Sequence, residues 1–242
     1  MKLINNHTCK SKDMICEMFD NIADKYDFIN NLLTLGIDAK WRESAITKVG
    51  NIKNFEIIDI ATGTADIAIK LCLHGANRVT AVDISDKMLL HAQLKINKYK
   101  LNDKISLVKA DCENMPFENN KFDLAIISFG IRNFENPLKA LKEVYRILKP
   151  ASKIIILEFS YPDNIIGKFI NKYYVKNALN IVGEFVAHNK VAYNYLYNSI
   201  NEFPKGDAFL DLMRLANFCD LSIDTNTAGI VSIYSGVKRL NS

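Results

Sequence analysis

Three acidic residues, Asp59, Asp83 and Asp111, end or follow short β-rich runs of the sequence. Carboxylates at strand ends can accept hydrogen bonds from a nucleoside, as the acid about 20 positions after the first turn does in nucleotide-binding sheets. We expect Asp83 to accept both ribose hydroxyls, Asp111 to accept an adenine amino group, and the backbone N–H of Cys112 to bond a ring nitrogen. Ser128 ends a further β-rich run and is expected beside the reacting centre.

The segment Asp59–Asp66 joins a buried strand to a helix through a tight turn with the sequence Asp-Ile-Ala-Thr-Gly-Thr-Ala-Asp. Its small residues, Gly63 among them, let the backbone approach a ligand, and the free N–H groups at the start of the helix favour an anion such as a carboxylate. Asp59 or Asp66 is placed to receive an ammonium group. With the acids after the next two strands, the loop predicts a site for S-adenosylmethionine.

A dinucleotide site is the competing interpretation of this loop. It requires the pattern G-x-G-x-x-G, whose positions here carry Ala61, Gly63 and Asp66. A carboxylate at the third position would repel a pyrophosphate, which disfavours this interpretation. Each acid by itself could also serve only as a turn residue or a helix cap. For Asp83 alone, the sequence is as consistent with such a structural role as with ligand binding.

Five β-rich runs alternate with helical patterns between residues 56 and 160. The predicted strands are Glu56–Ile60, Arg78–Val82, Ile105–Val108, Phe122–Ser128 and Lys153–Phe159, and the predicted helices are Asp66–His74, Asp86–Tyr99 and Asn136–Leu148. Such alternation indicates a parallel sheet with right-handed crossovers and helices on both faces. Ligands of these sheets bind beyond the carboxyl ends of the strands, where the acids lie.

We expect a single domain over residues 1–242, of α/β class, with a doubly wound, mostly parallel, seven-stranded sheet like that of class I methyltransferases. A helical cap is expected over 1–50, a cofactor-binding core over 56–160, a helical lid over 161–218 and two strands over 219–240. The last two, Asp220–Asn226 and Ile230–Val237, are expected to pair antiparallel at the sheet edge. This arrangement fits a methyltransferase better than a dehydrogenase.

Composition and charge disfavour several classes of function. The 31 basic and 27 acidic residues include no run of five like charges, which argues against a nucleic-acid partner but allows contact with an anionic lipid surface. The five cysteines form no C-x-x-C pair, so we expect no metal site and no disulfide framework. Because no apolar stretch approaches the ~18 residues of a membrane span, the expected location is the cytoplasm, with peripheral binding to the inner membrane as an option.

Four segments resemble a known family, the ubiquinone/menaquinone biosynthesis C-methyltransferases, and the likeness extends from about Met18 to Lys238. The first is Lys25–Trp41, similar to Y-D-x-M-N…W; Ser128–Asn133 resembles S-F-G-x-R-N; Tyr145–Ser160 resembles R-V-L-K-P-G-G…L-E-F-S; and Thr227–Val231 resembles T-x-G-[IV]-V. The cofactor loop alone would indicate only a class I methyltransferase. The first and third segments narrow the resemblance to this family.

The resemblance implies a cofactor, a reaction and a set of contacts. Thr64, Asp83, Asp111, Cys112 and Ser128 match positions that contact S-adenosylmethionine. The implied substrate is a polyprenylated quinol, either demethylmenaquinol, 2-polyprenyl-6-methoxy-1,4-benzoquinol, or both, which is methylated on a ring carbon. The implied partners are a membrane surface and either a second copy of the chain or a quinone-biosynthesis complex.

Three positions depart from the family pattern. Asp38 stands where the family usually has His, Ala65 replaces a usual Gly, and Ala151-Ser152 replaces a Gly pair. With Asp38 in place of His, the chain lacks the imidazole that could act as an acid or base at this position. The other two are expected to tighten turns without changing the chemistry.

The catalytic hypothesis centres on Arg132, Asn133 and Tyr26. A guanidinium stays protonated and cannot act as an ordinary base, so we expect Arg132, with Asn133, to orient a water or stabilise a developing phenolate. Tyr26 and Asn30 would shape the quinol site. The alternative role of Arg132 is a surface ion pair.

The histidine nearest the expected lid, His188, is a weaker candidate for a base. The apolar and lysine-rich stretch Ile165–Lys176 predicts either a packing helix or a membrane-contacting lid. A methyltransferase acting on another small molecule and a noncatalytic cofactor-binding protein remain as alternatives.

Overall fold

The computed structural model describes residues 11–160, 195 and 198–240. Within these residues, three α-helices precede the sheet: α1 (Lys12–Ile22), α2 (Tyr26–Thr34) and α3 (Asp38–Thr47). The Oγ of Ser11 caps α1 by accepting a hydrogen bond from the N–H of Met14, which satisfies one of the free donors at the helix start. α2 ends where Leu35 adopts the left-handed conformation, with φ 51°.

Seven strands form one sheet in the order β3-β2-β1-β4-β5-β7-β6. Their bounds are β1 (Glu56–Ile60), β2 (Arg78–Asp83), β3 (Ile105–Lys109), β4 (Phe122–Ser128), β5 (Leu148–Phe159), β6 (Cys219–Asn226) and β7 (Val231–Val237). Neighbours among β1 to β5 pair parallel, whereas β7 pairs antiparallel with both β5 and β6. The predicted seven-stranded, mostly parallel sheet with antiparallel strands at one edge is confirmed.

Helices cover both faces of the sheet. They are α4 (Asp66–Leu73), α5 (Asp86–Tyr99), α6 (Pro137–Ile147) and α7 (Asp207–Leu215). Successive residues of a strand point to opposite faces, so Ile57 packs with α3, α4 and α5, while Ile58 packs with α6 and α7. Burial on both faces explains why β1 and β4 are almost continuously apolar.

The fifth strand begins at Leu148 rather than at the predicted Lys153. Leu148 already pairs with Phe122 of β4, and the register then shifts before Lys153 pairs with Leu124. Ala151 lies in this irregular stretch with φ 62°. Pro150 and the left-handed Ala151 interrupt the regular strand pattern, which hid the first part of β5 from sequence reasoning.

The predicted helix from Asn164 to Val186 and the candidate base His188 lie outside the described residues. None of the helices described here is long and apolar enough to cross a membrane.

Candidate active site

A cavity lies at the carboxyl ends of β1 to β4, the edge where parallel sheets bind ligands. It holds about 750 Å³ of empty space, part of it open to solvent. Its charged lining residues are Lys12, Asp83, Asp111, Glu113 and Glu135. With four acids and one base, the cavity favours a cationic ligand over a phosphate-bearing one.

Asp83 is held at the end of β2 by two backbone N–H groups. The N–H of Gly63 donates to its Oδ2 at 2.8 Å and that of Ser85 to its Oδ1 at 3.0 Å. Burial raises the pKa of Asp83, and these hydrogen bonds partly offset the rise. Because a carboxylate has about four acceptor positions, the fixed group retains capacity for the hydroxyls of a ribose.

Asp111 lies at the end of β3 and forms an ion pair with the first helix. Its Oδ2 is 2.5 Å from Nζ of Lys12, and its Oδ1 accepts the N–H of Glu113 at 2.9 Å. Burial works to raise the pKa of Asp111, but these two partners hold it below its ordinary value. Next to it, Cys112 has a pKa well above its ordinary value through burial and the neighbouring acids, so its thiol is neutral.

Ser128 and two glycines leave room and an open hydrogen-bonding position for a cofactor. Oγ of Ser128 is buried without a hydrogen-bond partner in the described part of the chain. Gly63 has φ 56°, and a Cβ added there would meet the ring of Tyr26 at 3.7 Å. A Cβ on Gly130 would lie 2.6 Å from Cβ of Ala61, so the loops after β1 and β4 touch here. S-adenosylmethionine fits this acid-lined space.

Asp59 and Thr64 lie outside the described cavity lining. Asp59 is 1% exposed and accepts hydrogen bonds on Oδ2 from Oγ1 of Thr62 at 2.5 Å and from the N–H of Ala68 at 3.1 Å. Burial raises its pKa to about 7. Asp59 therefore stabilises the conformation of the loop through these hydrogen bonds. The hydroxyl of Thr64 donates to Asp27 of α2 at 2.6 Å, which ties the loop to the helical cap.

The two carboxylates considered for the methionine ammonium both have partners already. Asp59 is bound within its own loop, and Asp66 forms an ion pair with Lys95 and lies 3.8 Å from Arg42. The same Lys95 reaches Asp27 at 2.9 Å. Asp66 thus joins α4, α5 and the cap in one network of charges.

The three residues of the catalytic hypothesis differ in whether they reach the cavity. Tyr26 and Asn133 line the cavity. Arg132 is buried behind it, where Nη1 lies 2.7 Å from Oε1 of the fully buried Glu158 and 2.5 Å from the carbonyl oxygen of Phe129. The ion pair of Arg132 is therefore buried, not on the surface as the alternative supposed. It fixes the turn that carries Asn133.

Asp38, which replaces the usual His of the family, forms contacts within the cap. Its Oδ1 accepts the hydroxyl of Thr34 at 2.7 Å, and its Oδ2 forms a close ion pair with Arg42. The guanidinium of Arg42 lies over the ring of Phe129, 5.5 Å from its centre. These contacts assign Asp38 a packing and charge-balancing role.

Several lining residues were missed from the sequence. The cap contributes Lys12, Ile15 and Phe19, and α5 contributes Met88. The spacing of Ile15, Phe19, Ile22 and Tyr26 at intervals of four, three and four is a helical apolar stripe that could have been detected. Nothing in the spacing indicates that this stripe covers the cavity.

The segments quoted for the family resemblance meet at Trp41. Its indole N–H donates to Oγ1 of Thr227 at 2.7 Å, and its ring centre lies 6.1 Å from that of Phe129 and 6.2 Å from that of Phe159. Each of the four segments contributes one of these residues. They therefore form a single packing unit beside the cavity.

A family model described as the ubiE/COQ5 methyltransferase family matches residues 7–238. The chain belongs to the ubiE/COQ5 methyltransferase family. It is 37% identical over 228 residues to the ubiquinone/menaquinone biosynthesis C-methyltransferase UbiE of Geotalea daltonii, covering 93% of this chain and 97% of that protein. The Rickettsia akari UbiE is also 37% identical, over 95% of this chain and 94% of its own length.

A solved S-adenosylmethionine-dependent methyltransferase of Thermotoga maritima shares the fold. Its TM-score is 0.66 at 20% identity, covering 93% of this chain and all of that one. Membership of the ubiE/COQ5 methyltransferase family confirms the predicted enzyme class and cofactor. The protein is an S-adenosylmethionine-dependent methyltransferase.

Proposed function

We propose that the protein methylates a ring carbon of a polyprenylated quinol, demethylmenaquinol, 2-polyprenyl-6-methoxy-1,4-benzoquinol or both, in the cavity at the ends of β1 to β4. One observation carries this proposal. The cavity is lined at once by the acids Asp83 and Asp111 and by Tyr26, Ser128 and Asn133, which belong to segments resembling the quinol methyltransferases. Cofactor and acceptor would therefore share one enclosed space.

The chemistry asks the protein mainly for alignment and exclusion of water. The bound cofactor supplies an electrophilic methyl group on a sulfonium. The ring carbon would take up this methyl group and release its own proton to solvent. Asp83 and Asp111 hold the nucleoside, and the apolar walls of Phe19, Phe129 and Phe134 keep water from the ring.

Asn133 is the group that we assign to the ring oxygen. A hydroquinone carbon becomes nucleophilic as the neighbouring phenol loses its proton, and an amide N–H stabilises the oxygen that gains charge. The guanidinium of Arg132 is paired with Glu158, and a guanidinium cannot act as an ordinary base. We therefore assign it the task of holding the turn Ile131–Asn133 in place, with Tyr26 forming the facing wall.

The decisive test is an assay with isotope-labelled S-adenosylmethionine and both demethylquinol types, followed by mass analysis of the ring product. We expect label on a ring carbon of one or both quinols. Asn133→Ala should reduce turnover by ~100-fold, the lower end of the range for losing one transition-state hydrogen bond, and the exposed Ser222→Ala should not. Turnover of the cofactor with no quinol product would instead favour another small-molecule acceptor, and cofactor binding without turnover a noncatalytic role.

We further propose that the protein acts peripherally on a membrane, since the polyprenyl tail of its substrate partitions into lipid. Sedimentation with anionic liposomes measures this, and binding should be lost when Phe169 and Tyr173 are replaced by Glu with the fold intact. Unchanged binding in that variant would refute a role of this segment. Light scattering would show whether two copies associate.

A further inference from the structure

We infer that Tyr195 is a positioning residue that turns the amide of Asn133 so that its nitrogen faces the quinol. The inference rests on the proposed function. The hydroxyl of Tyr195 donates to Oδ1 of Asn133 at 3.0 Å, across 62 positions of the chain. Asn133 lines the cavity, whereas the described lining does not include Tyr195. Tyr195 therefore lies behind Asn133 as viewed from the cavity.

The direction of this hydrogen bond decides which end of the Asn133 amide, the oxygen or the nitrogen, faces the cavity. The side-chain amide of Asn133 is planar, with the oxygen and the nitrogen at opposite corners. With its oxygen turned back to Tyr195, the amide directs its N–H groups the other way. A developing phenolate is stabilised by an N–H donor and repelled by a carbonyl oxygen, so the wrong orientation would oppose the reaction.

The surroundings keep the phenol of Tyr195 protonated, so that it can donate to Oδ1 of Asn133 as the structure shows. Burial is the main cause that raises its pKa to about 12, and Glu158 adds to the rise while Arg132 opposes it. The phenol therefore stays protonated at neutral pH. The turn itself is fixed, because the backbone N–H of Asn133 donates to the carbonyl oxygen of Gly130 at 2.9 Å. Only the side-chain torsions of Asn133 are left for Tyr195 to set.

A double-mutant cycle tests the inference, with Tyr195→Phe, Asn133→Ala and the double variant. Tyr195→Phe should lower kcat for the quinol about tenfold, with no change in the affinity for S-adenosylhomocysteine measured by calorimetry. The double variant should be no slower than Asn133→Ala alone, because the hydroxyl has nothing left to orient. The control is Tyr145→Phe, whose ring packs on Phe218 away from the cavity and which should retain full activity.

Several results would overturn the inference. Multiplicative losses in the double variant would mean that Tyr195 acts independently of Asn133. Unchanged kcat in Tyr195→Phe, or weaker cofactor binding with a lowered melting temperature, would remove the positioning role. If the unmodified protein methylates no quinol at all, the proposed function fails and the inference falls with it. If it does so and Tyr195→Phe behaves like Tyr145→Phe, only the inference fails.

Discussion

Nζ of Lys12 in the first helix lies 2.5 Å from Oδ2 of Asp111, the acid assigned to the adenine, and 3.2 Å from Oε2 of Glu113. Lys12 thereby connects the helical cap to one end of the cavity proposed to bind the cofactor. Glu113 is buried and also accepts the N–H of Asn136 at the start of α6. The cap, the loop after β3 and α6 are thus joined at this one point.

Replacing Lys12 by Met should weaken binding of S-adenosylhomocysteine about threefold, since a partly exposed ion pair contributes ~0.2–1 kcal/mol. Calorimetry at low and high salt measures this, and high salt should bring the unmodified protein towards the variant. The control is Lys109→Met, which breaks an exposed pair with Asp86. Tighter binding in Lys12→Met would show instead that Lys12 competes with the adenine for Asp111.

The contact between Gly130 and Ala61 gives a second prediction. Gly130→Ala should weaken cofactor binding roughly tenfold or more, because overpacking costs ~1–3 kcal/mol and a Cβ there would lie 2.6 Å from that of Ala61. Adding Ala61→Gly should restore binding. It removes the opposing methyl group at a residue with φ 56°, which glycine adopts readily. Failure of this rescue would assign the loss to another cause.

The alanines that replace family glycines both adopt left-handed backbone conformations, Ala65 with φ 66° and Ala151 with φ 62°. Ala151 is exposed. Ala151→Gly should raise the free energy of unfolding by about 0.5–1 kcal/mol, because glycine relieves ~1–2 kcal/mol of strain in the left-handed backbone. This gain exceeds the loss that comes from the greater conformational entropy of glycine in the unfolded chain.

Ala65→Gly should leave the free energy of unfolding nearly unchanged. Ala65 is fully buried, so the variant loses about 0.8 kcal/mol from burial of the methyl group, which offsets the relief of backbone strain. Urea unfolding of both variants measures the difference. The helical Ala68→Gly is the matched control and should be destabilised by about 1 kcal/mol or more. Equal effects at positions 65 and 151 would contradict the distinction.

Asp59 gives a prediction for pH. Its folded pKa of about 7 lies above the ordinary 3.8, so the folded state binds a proton that the unfolded state has lost. This contribution to stability is complete below the ordinary pKa and disappears as the pH rises through about 7, with a slope of at most ~1.4 kcal/mol per pH unit.

Urea unfolding between pH 4 and 8 should show this fall in the unmodified protein and a flatter profile in Asp59→Asn. The exposed Asp103→Asn is the control and should keep the unmodified slope. An unchanged slope in Asp59→Asn would mean that another group carries the proton.

The sheet, and the edge of it at which the candidate cofactor site lies, could be predicted from the sequence alone. Alternating β-rich and helical patterns predict β1 to β4 closely, because strand and helix periodicities are local properties of the chain. Parallel strands end at one edge, so Asp83, Asp111 and Ser128 necessarily lie near one another. Family membership, which names the reaction class, was also readable from four short segments.

Which side chains face the cavity depends instead on tertiary packing. The pairs Lys12–Asp111, Arg132–Glu158 and Tyr195–Asn133 join distant parts of the chain. Such contacts depend on how helices and loops pack across the sheet, and no local spacing encodes that geometry. Packing buries Asp59 within its own loop and Arg132 behind the cavity. These two residues therefore hold loops in place, whereas the residues that line the cavity can contact a ligand.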